Sequence, residues 1–340
     1  MASITKLIAR KIVFPLLVKS GLNKLLINRS AHNVLILNYH GVVKNTNFGI
    51  SVNHMSAEDF EMQVRYFSKN CNIISIDEFY QYAQDPKSIH TNKKSILITF
   101  DDGYENNYLN AFPILQKYNA PAIIFPVTGL TGSEKTTWYD AIDITKKHLS
   151  EKRYSDELSA LAGQYNIEYN SIIDLPKLSS SLKNFDVPTK NDFIDKYLNI
   201  YKNVNLNETS EFWKMLNQDQ IRKMVDSKLI SFGSHTVHHP NLDKIPSEQV
   251  IREISDSKSF LENTTQKPVY SIAFPDGAYN DEVKSLCRKS GYKLMFSVNP
   301  RCQSDSIEND IYRRFSVPNT TTTDSVIFNS SLAFKNQGVL

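Results

Sequence analysis

At 340 residues, 41% of them hydrophobic and 22% charged, the chain is long enough to bury a large core and too apolar to be a disordered segment. Its net charge of +3 is too small to argue for a nucleic-acid partner. Three widely spaced cysteines (Cys71, Cys287 and Cys302) form neither a disulfide framework nor a CxxC zinc pattern, which favours a reducing compartment.

The charge is unevenly distributed. Residues 1–30 carry Lys6, Arg10, Lys11, Lys19, Lys24 and Arg29 with no acidic side chain, so the remainder is slightly acidic. The longest uncharged stretch there, Ile12 to Val18, is seven residues, against about 20 for a membrane-spanning helix. The longer apolar region and small-residue cleavage site of a signal peptide are also missing. Two readings remain: a basic amphipathic segment lying on an anionic membrane surface, or a helix docked on the protein's own core. The first describes a cytoplasmic protein peripheral at the inner membrane face.

From Val34 onward short apolar runs alternate with helical patterns. The expected strands are 34–39, 72–76, 95–100, 122–127, 229–233, 269–274 and 293–298. Between them lie amphipathic stretches. In one, Ser56 and Asp59 fit a capping box and Phe60, Val64 and Phe67 share a face; in another, Val250, Ile254 and Leu261 do. Alternating strands and helices predict a parallel sheet, open or closed into a barrel, with ligands at the carboxyl ends of the strands. Residues 129–217 break this rhythm. They are polar, with weak helical pieces and no convincing strand, and read as an insertion forming a lid or substrate-facing subdomain.

Asp101 and Asp102 close the run ILITFDDGYENNY, at the edge where sites are built. One aspartate there is explained by an Asx turn or a helix N-cap; two in series call for a cation, a shared proton or open solvent. An acidic pair also suits a phosphate-receiving domain, so it does not identify a chemistry alone. ISFGSHTVHHPNL then places His235, His238 and His239 after another strand. His235 and His239, four apart, can converge on one metal; His238, three from His235, is the competing choice. One carboxylate and two imidazoles suit zinc or another divalent first-row ion, leaving the second carboxylate free as a general base. YSIAFPDGAYN ends a further strand, where a Pro-x-Gly turn can aim backbone N–H groups at an oxyanion. His40 ends the first strand on the same expected rim, and no histidine follows His239 in the chain.

Taken together these stretches resemble the NodB-like polysaccharide deacetylases, carbohydrate esterase family four. TFDDGY (Thr99–Tyr104) resembles the family's first motif, HTVHHP (His235–Pro240) its H-[ST]-x-x-H-[PS] motif, and AFPDGAYN (Ala273–Asn280) its third motif in a form without arginine. NYHGV resembles the subgroup whose domain opens with a Tyr-His pair. The likeness runs from about Val34 to Pro318, interrupted by the insertion. It implies an α/β fold, a distorted (β/α)7 barrel, acting on N-acetyl groups of a polysaccharide, oligosaccharide or glycan precursor. It implies Asp101 as catalytic base, Asp102, His235 and His239 as ligands of a divalent metal such as zinc, and an oxyanion donor at Asp276. His238 then falls on an unassigned position. Two departures stand out. Ala273 occupies the place of the arginine that orients the base, and Arg313 or Arg314 is the expected substitute. The late Leu-x-His motif that supplies the general acid is absent, which makes His40 the candidate. These departures also leave open a carbohydrate-binding protein without turnover, while an O-acetyl esterase would use the same scaffold. Trp138, Tyr139 and Trp213 are candidates for stacking on sugar rings or for core packing.

Overall fold

The computed structural model describes residues 8–30, 32–44, 51–88, 93–149, 151–204, 206–305, 310–317 and 322–336. Its strands are β1 (Val34–Tyr39), β2 (Gly41–Val43), β3 (His54–Ser56), β4 (Asn72–Ile73), β5 (Ser95–Asp102), β6 (Ala122–Pro126), β7 (Ile230–Phe232), β8 (Ser271–Ala273), β9 (Leu294–Ser297), β10 (Ile311–Arg313) and β11 (Phe315–Ser316). β1, β5 and β6 are buried along their whole length, as unbroken apolar runs in a parallel sheet should be.

Among the described residues the strands pair in parallel, in the order β11-β1-β5-β6-β7 and, in a second sheet, β10-β9-β8. Two seams join the sheets into a ring. A parallel bridge between Ser234 and Ile272 links the end of β7 to β8. At the other seam β10 and β11 are consecutive in the chain and separated by Arg314 alone. The result is the distorted seven-staved barrel implied by the motifs. Of the expected strands, 72–76 is cut to two residues, because Ser75 and Glu78 make a full capping box that starts the helix Ile76–Gln84. The short β2–β3 pair was not anticipated.

Strand alternation divides the apolar residues into two layers. Val34, Ile36, Leu97, Ile123, Phe125, Ala273, Leu294, Phe296 and Tyr312 fill the barrel interior, while their sequence neighbours Leu35, Leu37, Ile96, Ile98, Ile124, Met295 and Ile311 pack under the outer helices. Counting on by twos, Asn38, Thr99, Asp101 and Arg314 fall in the inward series, at the carboxyl ends of their strands. That phase decides which polar residues meet.

Residues between β6 and β7 contain more helix than their composition suggests: Trp138–Thr145, Ser155–Gln164, Tyr169–Ile172, Leu175–Leu182 and Val187–Ile200. Leu158, Ile172, Leu178, Leu182, Phe193, Tyr197 and Tyr201 bury themselves in a core of their own, separate from the barrel's. Each helix carries only one apolar stripe, so its average polarity hides its periodicity. At the N-terminus, Phe14–Lys19 and Leu22–Asn28 form two helices that pack on the helix Thr323–Asn336. Ile27 is buried there, and the Phe14 and Phe328 rings meet at 5.7 Å. Among the described residues, no helix is long and apolar enough to cross a membrane.

Candidate active site

The two adjacent aspartates end β5 rather than following it, and they diverge. Asp101 is in the inward phase. Asp102 is out of phase, but its left-handed backbone (φ 69°) turns its side chain along the rim. Gly103 continues the turn at φ 80°, and a Cβ there would lie 2.5 Å from that of Pro126, so only glycine fits. Thr236 (φ 66°), His239 (φ 56°) and Asp276 (φ 52°) are also left-handed. Four of the eight non-glycine residues with positive φ among those described thus lie at one site, which is where strain is stored when function requires a geometry.

Asp101 is held from one side. Arg314 donates from Nη1 to Oδ1 at 2.6 Å and from Nη2 to Oδ2 at 2.7 Å, and Asn38 Nδ2 donates to Oδ2 at 3.1 Å. Arg314 Nη1 also donates to Asn38 Oδ1 at 3.1 Å, closing the network. Burial is the largest single influence on Asp101 and would raise its pKa, but the charge and hydrogen bonds of Arg314, together with the nearby His235 and His40, outweigh it and hold the carboxyl well below the usual range. Arg313 does not take part: it donates to Val298 O at 3.3 Å and Asn299 Oδ1 at 2.7 Å, on the other side of the strand. Of the two arginines expected to stand in for Ala273, only Arg314 reaches the aspartate. Arg314 lies at the seam between the two sheets, in phase with Tyr312, which is why its side chain enters the barrel. Asn38 was not singled out from sequence; its strand phase and its register opposite Thr99 are the signals that could have found it.

Asp102 faces the histidines. Its Oδ1 lies 3.7 Å from His235 Nε2 and 3.7 Å from His239 Nε2. All three side chains are buried, and one ligand atom from each lies within 4.8 Å of the others. His235 Nδ1 pairs with Ala273 O at 2.7 Å, so its Nε2 presents the lone pair. Burial, ahead of every other influence, lowers the pKa of both imidazoles, that of His239 to about 4. Neutral imidazoles make no ion pair with Asp102, and its Oδ2 is buried without a hydrogen-bond partner. A tetrahedral ion with bonds of about 2.0–2.1 Å wants ligand atoms about 3.3 Å apart, a few tenths closer than the 3.7 Å that separates Asp102 Oδ1 from each histidine. The donor set therefore fits a divalent metal ion. His238 is diverted: its Nδ1 pairs with Glu253 Oε1 at 2.7 Å, and Glu253 Oε2 accepts from the Val237 and His238 N–H groups at 2.8 Å each. That carboxylate fixes the loop so that His239, not His238, turns inward.

These groups line a cleft of about 480 Å³. His40 borders it at the end of β1, near enough for its charge to influence Asp101 and His235. Asp276 borders it from the 275–277 turn, and its carboxylate pairs with Lys183 Nζ at 3.3 Å. Lys183, from the insertion, was not anticipated as a site residue. Trp138 and Tyr139 also face the cleft, the Tyr139 ring meeting His239 edge-on at 5.5 Å. Burial, then the Asp102 charge, pushes the Tyr139 phenol well above its ordinary pKa, so it stays neutral. Trp213 is instead core, buried with Val43, Ile144 and Phe212.

Comparisons with known proteins bear on the whole of this arrangement. The family model described as polysaccharide deacetylase matches residues 88–160 and 175–295, breaking only inside the insertion. The poly-beta-1,6-N-acetyl-D-glucosamine N-deacetylase of Staphylococcus aureus is 26% identical over 294 residues, covering 83% of this chain and 77% of its own. A Bacillus subtilis relative is 22% identical over 271 residues, and there the match takes in 79% of this chain and 66% of the relative. In fold, the chain resembles IcaB from Ammonifex degensii, with a TM-score of 0.58, 18% identity, and 90% of this chain and 98% of that one covered. It likewise resembles the Streptococcus pyogenes deacetylase PplD, solved in complex with acetate, with a TM-score of 0.56, 20% identity, and coverage of 86% and 96%. With its barrel, its rim motifs and a family match over more than half its length, this chain belongs to the polysaccharide deacetylase family.

Proposed function

We propose that this chain hydrolyses N-acetyl groups on an amino-sugar polymer or its precursor. The observation that carries the reading is the division of two adjacent aspartates between different partners: Asp101 with Arg314 and Asn38, Asp102 with His235 and His239. Such a division separates a base from a metal ligand, whereas a carbohydrate-binding relic needs neither. The staphylococcal relative, named for removing N-acetyl groups from a β-1,6-linked glucosamine polymer, supports this substrate class.

Asp102, His235 and His239 would hold a divalent ion, for which zinc suits the two-nitrogen, one-oxygen set; it would supply a Lewis acid and lower the pKa of water to about 7. Asp101 accepts the proton of the attacking water. Arg314 and Asn38 keep its carboxylate ionised and aimed, so little reorganisation is left for the reaction. In the 275–277 turn, the Gly277 and Ala278 N–H groups are spent on Phe274 and Pro275 O at 2.9 Å each. The Asp276 N–H is the donor that remains for the oxyanion. His40, on the facing wall, delivers a proton to the leaving amine. Trp138 and Tyr139 offer aromatic faces to the sugar.

The test is metal-dependent acetate release from N-acetylglucosamine oligomers. Chelation should abolish it, and Zn2+ should restore it. Asp101→Asn should lower kcat/KM by about 100- to 10,000-fold, measured below the melting temperature of the variant, since Arg314 loses its counter-charge. Full activity in that variant would sink the mechanism, and release from O-acetyl but not N-acetyl sugars would reassign the chain as an esterase.

A further inference from the structure

The N-terminal helices have two faces, and only one is satisfied. The inner face docks on the protein: Ile27 is buried, Phe14 meets Phe328, Asn23 Nδ2 donates to Tyr66 OH, and Ser30 Oγ donates to Phe334 O. The outer face is apolar and open. Ile8 (48% exposed), Ile12 (55%), Val13 (41%), Leu16 (62%), Leu22 (37%) and Leu25 (45%) account for six of the eleven exposed large hydrophobic residues described in the chain. Single exposed apolar residues are ordinary; six within the 18 residues 8–25 mark an interaction surface. Ile8, Ile12 and Leu16 recur every four residues and so share one stripe.

Charge identifies the partner. Lys11, Lys19, Lys24 and Arg29 are exposed on the same segment, and no acidic residue precedes Glu58 in the sequence. A second copy of this chain would set its own basic segment against this one, like charge on like. A sheet of anionic headgroups over hydrocarbon matches both the stripe and its cationic border. We propose that the outer face of residues 8–25 lies in the interface of an anionic membrane, with the helices parallel to its surface and the catalytic barrel held at the lipid through the helix Thr323–Asn336. Docking and membrane contact, competing readings of the sequence, are then two faces of one hairpin.

The experiment is co-sedimentation of the full chain with phosphatidylcholine vesicles, with and without phosphatidylglycerol. Binding is expected only with phosphatidylglycerol, and should fall as salt is raised. Lys11→Gln and Lys19→Gln should each weaken binding about fivefold. The double variant Ile12→Glu/Leu16→Glu should abolish it while acetate release from a soluble oligosaccharide stays unchanged. Hydrogen exchange on the wild type, with vesicles present, should show new protection confined to 8–25, which tests the proposal even if the double variant misfolds. Absence of vesicle binding, equal binding by the double variant, or a wild-type dimer that the double variant dissociates would each overturn it. Acetate release is measured apart from vesicle binding, so failure of one does not disguise failure of the other.

Discussion

The barrel rim and the helical insertion meet at one cleft but are built by opposite means. At the rim, Asn38, Asp101 and Arg314 come from three distant parts of the chain and meet only because β1, β5 and the β10–β11 seam are neighbours. Buried charges there compensate one another. In the insertion, residues between Trp138 and Tyr201 form a core among themselves, and the cohesion is apolar and comparatively local. Among the polar contacts that tie the regions together, Tyr104 OH donates to Asp140 Oδ2 at 2.9 Å, Asn106 Nδ2 donates to Glu211 O at 2.8 Å, and Lys183 Nζ pairs with Asp276 at 3.3 Å. The carboxylates and imidazoles of the cleft thus belong to the barrel, whereas the insertion supplies a wall of Trp138, Tyr139, Ser179 and Lys183.

The strongest test of that contrast is at the seam. Arg314→Met leaves Asp101 charged, buried and unpaired, and should cost about 3–5 kcal/mol of stability as well as activity. Arg313→Ala, one residue away, removes a partly exposed side chain and should cost under about 1 kcal/mol. Thermal melts decide, and equal losses would mean that strand phase does not select the arginine.

Phe193→Ala empties the centre of the insertion's core and should cost about 3–5 kcal/mol. If that core is independent, hydrogen exchange will quicken in residues 155–200 while β5 and β6 stay protected. Matching acceleration in both would merge the two regions into one cooperative unit.

The smallest effect concerns His238. Its hydrogen bond to Glu253 raises its pKa above the unfolded value, with burial opposing. A raised histidine contributes stability that is fully present below its unfolded pKa, about 6.5, and is lost as pH rises through the folded value. The side chain is 48% exposed, so solvent screening keeps the effect below about 1 kcal/mol. His238→Ala should therefore lower the melting temperature slightly at pH 5 and leave it unchanged at pH 9. A loss persisting at high pH would show that packing, not the charged pair, is what the residue provides.

Much of this was legible in the sequence, for an identifiable reason. Strand phase and helix phase are written in windows of a few residues, and the aspartate pair, the two histidines and the 275–277 turn each lie within one window. Their positions at strand ends are enough to place them on one rim. The insertion was under-read because its helices carry narrow stripes in polar surroundings. Three matters were settled only in the folded molecule: that Arg314 rather than Arg313 enters the barrel, that Asn38 completes the network, and that Lys183 reaches Asp276 from the insertion. Each is a contact between segments remote in sequence. A buried charge accepts whichever partner the closed ring of strands brings within hydrogen-bonding distance, and nothing local to either segment encodes that encounter.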